Sequence, residues 1–169
     1  MCWVADRQGP CGCFTAGILL YLPGSYALIS PCGFWILSAD FRTPIYVGKA
    51  IPTGGRKGGP DGGLSTGTEL YRRLQDHAKS VEQASNLRLE EFKCRYLVVV
   101  PVWITLAERF LIDHYRPVWN TVIDGFGNHP PGAGRKDMRR PRWDVVHPGR
   151  PWASKLTAAE TPAEIIALI

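Results

Sequence analysis

No apolar run in this chain reaches the roughly 18 residues that a membrane-spanning helix needs, so no membrane partner is expected. The nearest thing to the hydrophobic region of a leader is FTAGILLYLPG, Phe14 to Gly24. Only Arg7 precedes it as a basic residue and no clear small-x-small cleavage site follows, so it reads as core sequence. A disulfide framework is also lacking. The five cysteines (Cys2, Cys11, Cys13, Cys32, Cys94) are odd in number and irregular in spacing, which points to reduced thiols in the cytoplasm. Cys11 and Cys13 would make half of a metal site, but no second Cys or His pair at ligand spacing completes it. The glycine-rich stretch Thr53–Gly67 has no G-K-[ST] closing it before a helix, which excludes a P-loop. Internal repeats are absent.

What remains is 169 residues with 45% hydrophobic content, enough for one domain with one core. The net charge of +5 favours a polyanionic partner. That charge is concentrated in GRKDMRRPRW, Gly134 to Trp143, where Arg135, Lys136, Arg139, Arg140 and Arg142 face only Asp137. Arginines mixed with tryptophan, glycine and proline suit a loop lying along nucleic acid.

Ser25–Ser30 and Thr43–Gly48 read as strands, rich in Ile, Val, Leu and Tyr and bounded by Gly and Pro. They are expected to pair as an antiparallel hairpin with PCGFWILSADFR between them as a long connection. A helix is predicted over Thr68–Gln83, with Leu70, Leu74, Ala78 and Val81 as its buried stripe. A short helical piece around NLRLEEF precedes a third strand, CRYLVVVPVW. Thr105–Pro117 reads as a second helix whose Thr105 and Glu108 form a capping box. Residues 119–151 read as irregular, and a last helix starts with Thr161 as N-cap, Pro162 at the first position and Glu164 closing a capping box. The expected fold is a small α/β (α+β) sandwich: a three-stranded, mostly antiparallel sheet flanked by helices, with an irregular basic C-terminal extension.

Arg73 and His77 stand four apart on the first helix and so share a face, at the edge of its apolar stripe, while Arg72 and Lys79 point away. Glu108 has two readings, a cap or an oxygen ligand for Mg²⁺. Asn120 follows the second helix and reads either as a turn residue or as part of a site. The stretch TPIYVGKA, Thr43 to Ala50, ends a strand with a tyrosine, a glycine and a lysine.

Here the residues carry a resemblance. Tyr46–Gly48, followed by Lys49 and Ala50, resembles the second half of the GIY-YIG nuclease signature, and Gly24–Tyr26 resembles the first half, with Ser25 where Ile is usual. An Arg on the next helix (Arg73), a Glu on the following one (Glu108) and an Asn beyond it (Asn120) complete the pattern. ELYRRLQDHAKS, NLRLEEFKCRYLVV, LAERFLI, RPVWN, VIDGFGNH and WDVVHPGRPWA further resemble the GIY-YIG type II restriction endonucleases that cut CCGCGG, and His77 belongs to that branch. The resemblance implies a catalytic domain over 24–120, a DNA-recognition extension over 121–153, a C-terminal helix over 154–169, and an N-terminal segment, 1–23, without an assigned role. It implies Mg²⁺ held by Glu108, Tyr26 activating water, Tyr46 and His77 orienting or shuttling protons, Arg73 and Lys49 on phosphate, and Asn120 in support. Its implied partners are double-stranded DNA, a second copy in a homodimer, and a cognate DNA methyltransferase acting in the same system. Two alternatives share the domain: a catalytically inactive DNA-binding relative, and a repair or homing-type nuclease.

Overall fold

The computed structural model describes residues 16–19, 32–37, 43–51, 69–99, 101–135 and 137–169. Among these, four strands form one sheet: β1 (Ala16–Leu19), β2 (Cys32–Leu37), β3 (Pro44–Ala50) and β4 (Lys93–Val98), in the order β1-β4-β2-β3. All the described pairings are antiparallel.

This corrects the expectation of three strands. The described partner of β3 is β2, which lies inside the segment read as a connection. Its unbroken apolar run FWIL has no alternation to announce a strand. The strand expected over Ser25–Ser30 lies outside the described residues. The third predicted strand is also shorter than expected: β4 stops at Val98, and Pro101–Trp103 turn as a 3₁₀ helix because Pro101 offers no N–H to a ladder.

Helix α1 (Glu69–Gln83) buries Leu70, His77 and Val81, the face that the 3.6-residue period marks out. Helix α2 (Ile104–Tyr115) buries Ile104 and Leu111 and ends at Arg116, which adopts φ 45° and sends its N–H back to Ile112. Pro117 then prevents continuation, and a single turn, α3 (Val118–Thr121), follows. Helices α1, α2 and α3 all pack on β3. Two short helices close the chain, α4 (Arg142–Val146) and α5 (Pro162–Ile166). The capping box of α5 forms as expected, with Thr161 and Glu164 each bonding the other's backbone N–H.

The segment 121–153 packs into the same core as the sheet. Ile123, Phe126, Trp143 and Val145 join Ile36, Tyr46, Leu70 and Trp119 in one cluster. Trp143 is fully buried, and Arg150, at 2% exposed, is buried with it. A buried arginine requires a partner for its charge and for its donors. It pairs with Asp144, donates to the carbonyls of Gly125, Phe126 and Asn128, and lies between the rings of Trp143 and Trp152 at 4.6 and 4.8 Å. The arginine of this basic segment therefore splints the loop Gly125–Asn128, whose first residue sits at φ 102° with Pro141 closely against it. Among the described residues no helix is long and apolar enough to cross a membrane.

Candidate active site

Strand β3 supplies the first side chain. Between Ile36 and Leu37 the register with β3 shifts, so Ile45 is an extra residue, a bulge immediately before Tyr46. Tyr46 is turned onto α1 and the Gly125–Asn128 loop, where its ring meets those of His77 and Phe126 edge-on at 5.0 and 4.9 Å. Burial raises the pKa of the phenol, Arg73 pulls it back through charge and a hydrogen bond, and Glu108 pushes it up again. The outcome is a phenol that keeps its proton.

His77 was expected at the rim of α1; the structure buries it, with 3% exposed. Its ring stacks on Phe126 at 4.5 Å. Burial, with Arg73, His129 and Arg150 acting in the same direction, holds its pKa well below the usual imidazole value, so the ring is neutral at physiological pH. Arg73, one turn earlier, is half-buried. Its guanidinium donates to Gly127 O at 3.3 Å and to His129 Nε2 at 3.0 Å, and also bonds the Tyr46 phenol. Arg72 is exposed, as the helix phase requires.

Lys49 leaves β3 on the face opposite to Tyr46, since side chains alternate along a strand. Its ammonium lies 2.7 Å from Glu108 Oε2 and 3.4 Å from Thr105 Oγ1. The capping-box reading of Glu108 is thereby overturned. Helix α2 begins one residue before Thr105, its N-cap is Trp103 with no side-chain bond, and the Glu108 carboxylate points to Lys49 instead. Asn120 is no simple turn residue either. Its Oδ1 accepts from Val47 N at 2.7 Å and its Nδ2 donates to Val47 O at 2.9 Å, as a neighbouring strand would. It clamps the open edge of β3 between Tyr46 and Lys49. Tyr26 lies outside the described residues.

The structure thus gathers Tyr46, Arg73 and His77 beside α1 and pairs Lys49 with Glu108 beside α2, near enough for Glu108 to act on the Tyr46 phenol, with Asn120 fixing the strand between them. A cleft beside the first group is lined by Arg73, Asp76, His77, Asn128 and His129 among others. The model of the Eco29kI GIY-YIG domain family matches residues 14–168. The chain belongs to this family. That makes it a nuclease domain of restriction-endonuclease type, and the match runs through the basic segment as well as the sheet. No curated protein matches the chain.

Within this GIY-YIG domain the tail arginines divide. Arg140 donates to the carbonyls of Ala153, Ser154 and Leu156, and Arg142 forms a two-pronged pair with Glu160 at 2.7 Å while bonding Val122 O. Both are staples between the basic segment and the chain's end. Arg135 and Arg139 are exposed, and Lys136 lies outside the described residues.

Four residues of the site region carried no individual role in the sequence reading: Phe126, Gly127, His129 and Arg150. The run GFGNH held a signal, because two glycines flanking an aromatic, with a histidine two places on, suit a backbone pressed against a site. Gly127 shows why: a Cβ there would stand 2.7 Å from the Tyr46 hydroxyl and 2.9 Å from Arg73 Nη2.

Proposed function

We propose that the protein is a type II restriction endonuclease, hydrolysing DNA phosphodiesters with Mg²⁺ at a short GC-rich palindrome, CCGCGG. It would act as a two-fold symmetric homodimer, each subunit cutting one strand, in a system whose DNA methyltransferase protects the host's own sites. The observation that carries this reading is the meeting of Arg73 with Tyr46 and His77 in a chain of the Eco29kI GIY-YIG family.

The roles follow from the chemistry of each group. Arg73 is permanently charged and forked, and a guanidinium has five N–H donors. With three acceptors already assigned to it (Gly127, His129 and the phenol), donors remain for the scissile phosphate. Tyr46 keeps its proton, so it donates a hydrogen bond to phosphate and does not serve as the base. The resemblance gives Tyr26 the role of activating the attacking water, and the neutral His77 is able to accept and relay a proton. Lys49 neutralises charge on the opposite side of the strand. Asn120 acts through β3, holding Tyr46 and Lys49 in register.

A Mg²⁺ site fits the donor set. Mg²⁺ binds through one or two carboxylates, completed by waters and substrate phosphate. Glu108 is such a carboxylate, partly exposed and beside a cation that a metal would displace. Bound there, Mg²⁺ would supply Lewis-acid stabilisation of the leaving oxygen. Base reading would fall to the basic segment. With Arg140 and Arg142 committed to staples, Arg135 and Arg139 are its best candidates for guanine, which arginine contacts at O6 and N7.

Adjacent arginines on α1 test the site. Arg73→Ala should lower Mg²⁺-dependent cleavage by about a hundredfold or more, as loss of a transition-state donor does. Arg72→Ala should leave the rate nearly unchanged. Cleavage assays on both variants decide it, and equal losses would mean that the cleft beside α1 is not the site.

A further inference from the structure

We propose that His129 is a positioning residue for Arg73, holding its guanidinium through an unprotonated Nε2. The inference rests on the nuclease reading above. The geometry allows one proton arrangement. Arg73 Nη1 and His129 Nε2 are 3.0 Å apart, and a guanidinium has donors only. Nε2 must therefore accept, and the ring's proton must sit on Nδ1. Gly127 O takes Nη2 at 3.3 Å, so two successive parts of one loop grip both terminal nitrogens. That loop is itself held from behind, because Arg150 donates to the carbonyls on either side of Gly127. His129 is thus mounted on a rigid element, with its ring at the exposed mouth of the cleft and Arg73 behind it.

The arrangement reverses on protonation. An imidazolium cannot accept from Arg73, and it places a second cation against the first. The charged and titratable groups around the pair are Arg73, Asp76 and His77 on α1, Tyr46 on β3, and Arg150 behind the loop. Burial holds the His77 pKa well below the usual imidazole value and raises that of Tyr46, so His77 is neutral and Tyr46 protonated at neutral pH.

Two substitutions and one spectrum test this. His129→Ala removes the acceptor. His129→Gln offers an amide oxygen at similar reach and does not titrate. The ring is exposed, so neither change opens a core cavity, and thermal melting checks that both variants fold. Cleavage of plasmid DNA with Mg²⁺ is measured at neutral pH, and imidazole nitrogen NMR of the wild type reads the tautomer. The Ala variant should lose about 10- to 100-fold in rate, the scale of a reacting group misplaced by about 1 Å. The Gln variant should recover most of that loss. An Ala variant as fast as wild type, a Gln variant as slow as the Ala variant, or a resting ring protonated on Nε2 would each overturn the inference. A wild-type protein that cuts no DNA would instead sink the nuclease reading, and the NMR tautomer would still decide whether His129 accepts from Arg73.

Discussion

Replacing Glu108 by Gln is expected to abolish cleavage while the protein still folds and still binds DNA. The geometry makes this substitution clean. Glu108 does not cap α2, so the helix loses nothing at its start. What Gln removes is a partly buried ion pair with Lys49, 27% and 20% exposed, while its amide oxygen can still accept from the ammonium, so stability should fall by about 1–3 kcal/mol, the scale of a hydrogen bond to a charged group. What it removes from the chemistry is the proposed carboxylate for Mg²⁺. Metal stabilisation of a transition state is worth several kcal/mol, and each ~1.4 kcal/mol is tenfold in rate, so the loss should be about a thousandfold or greater. Thermal melting, a DNA-binding titration and a cleavage assay on one preparation separate the effects. Unchanged cleavage in the Gln variant would leave Glu108 as nothing more than the partner of Lys49.

Gly127→Ala should be nearly as damaging, although it adds one methyl group and removes no polar atom. The new Cβ would stand 2.7 Å from the Tyr46 hydroxyl and 2.9 Å from Arg73 Nη2, closer than carbon and these atoms can approach. Backbone relief is restricted, because Arg150 pins the carbonyls of Phe126 and Asn128. Tyr46 is buried against His77 and Phe126 and cannot swing far. Arg73, the longer and freer side chain, is the group that gives way. A shift of about 1 Å in such a group costs about a hundredfold in rate. Stability should fall far less than activity, since the clash lies at side-chain ends and not in the backbone. A Gly127→Ala protein with wild-type kcat would mean that Arg73 and Tyr46 do not act where they now stand.

The features legible in the sequence were those set by local rules. The period of α1 put Arg73 and His77 on one face and Arg72 on another, and the structure keeps that phase. The capping box at Thr161 and Glu164 needs only a four-residue window, and it forms. The same pattern at Thr105 and Glu108 misled, because a long-range partner, Lys49, outcompetes the local backbone N–H. Strand β2 was missed for a related reason. An unbroken apolar run carries no alternation, so only its neighbours β3 and β4 identify it as a strand. In the basic segment, charge density suggested DNA for Arg135, Lys136, Arg139, Arg140 and Arg142 together, without distinguishing among them. Tertiary context instead spends Arg140 and Arg142 on the chain's own carbonyls and carboxylate, and places Arg150 in the core behind the site. Sequence spacing cannot distinguish an arginine that reaches outward from one that folds back. Nor could it show that Asn120 clamps an edge strand more than seventy residues earlier.

The most direct measurement is incubation of the wild-type protein with plasmid DNA, with Mg²⁺ or with a chelator, followed by sequencing of every fragment end. The account predicts double-strand cuts only when Mg²⁺ is present, with all ends mapping to one GC-rich palindrome, CCGCGG. An intact plasmid in the presence of Mg²⁺, from protein that binds it, would contradict the account, and so would ends scattered without a common sequence.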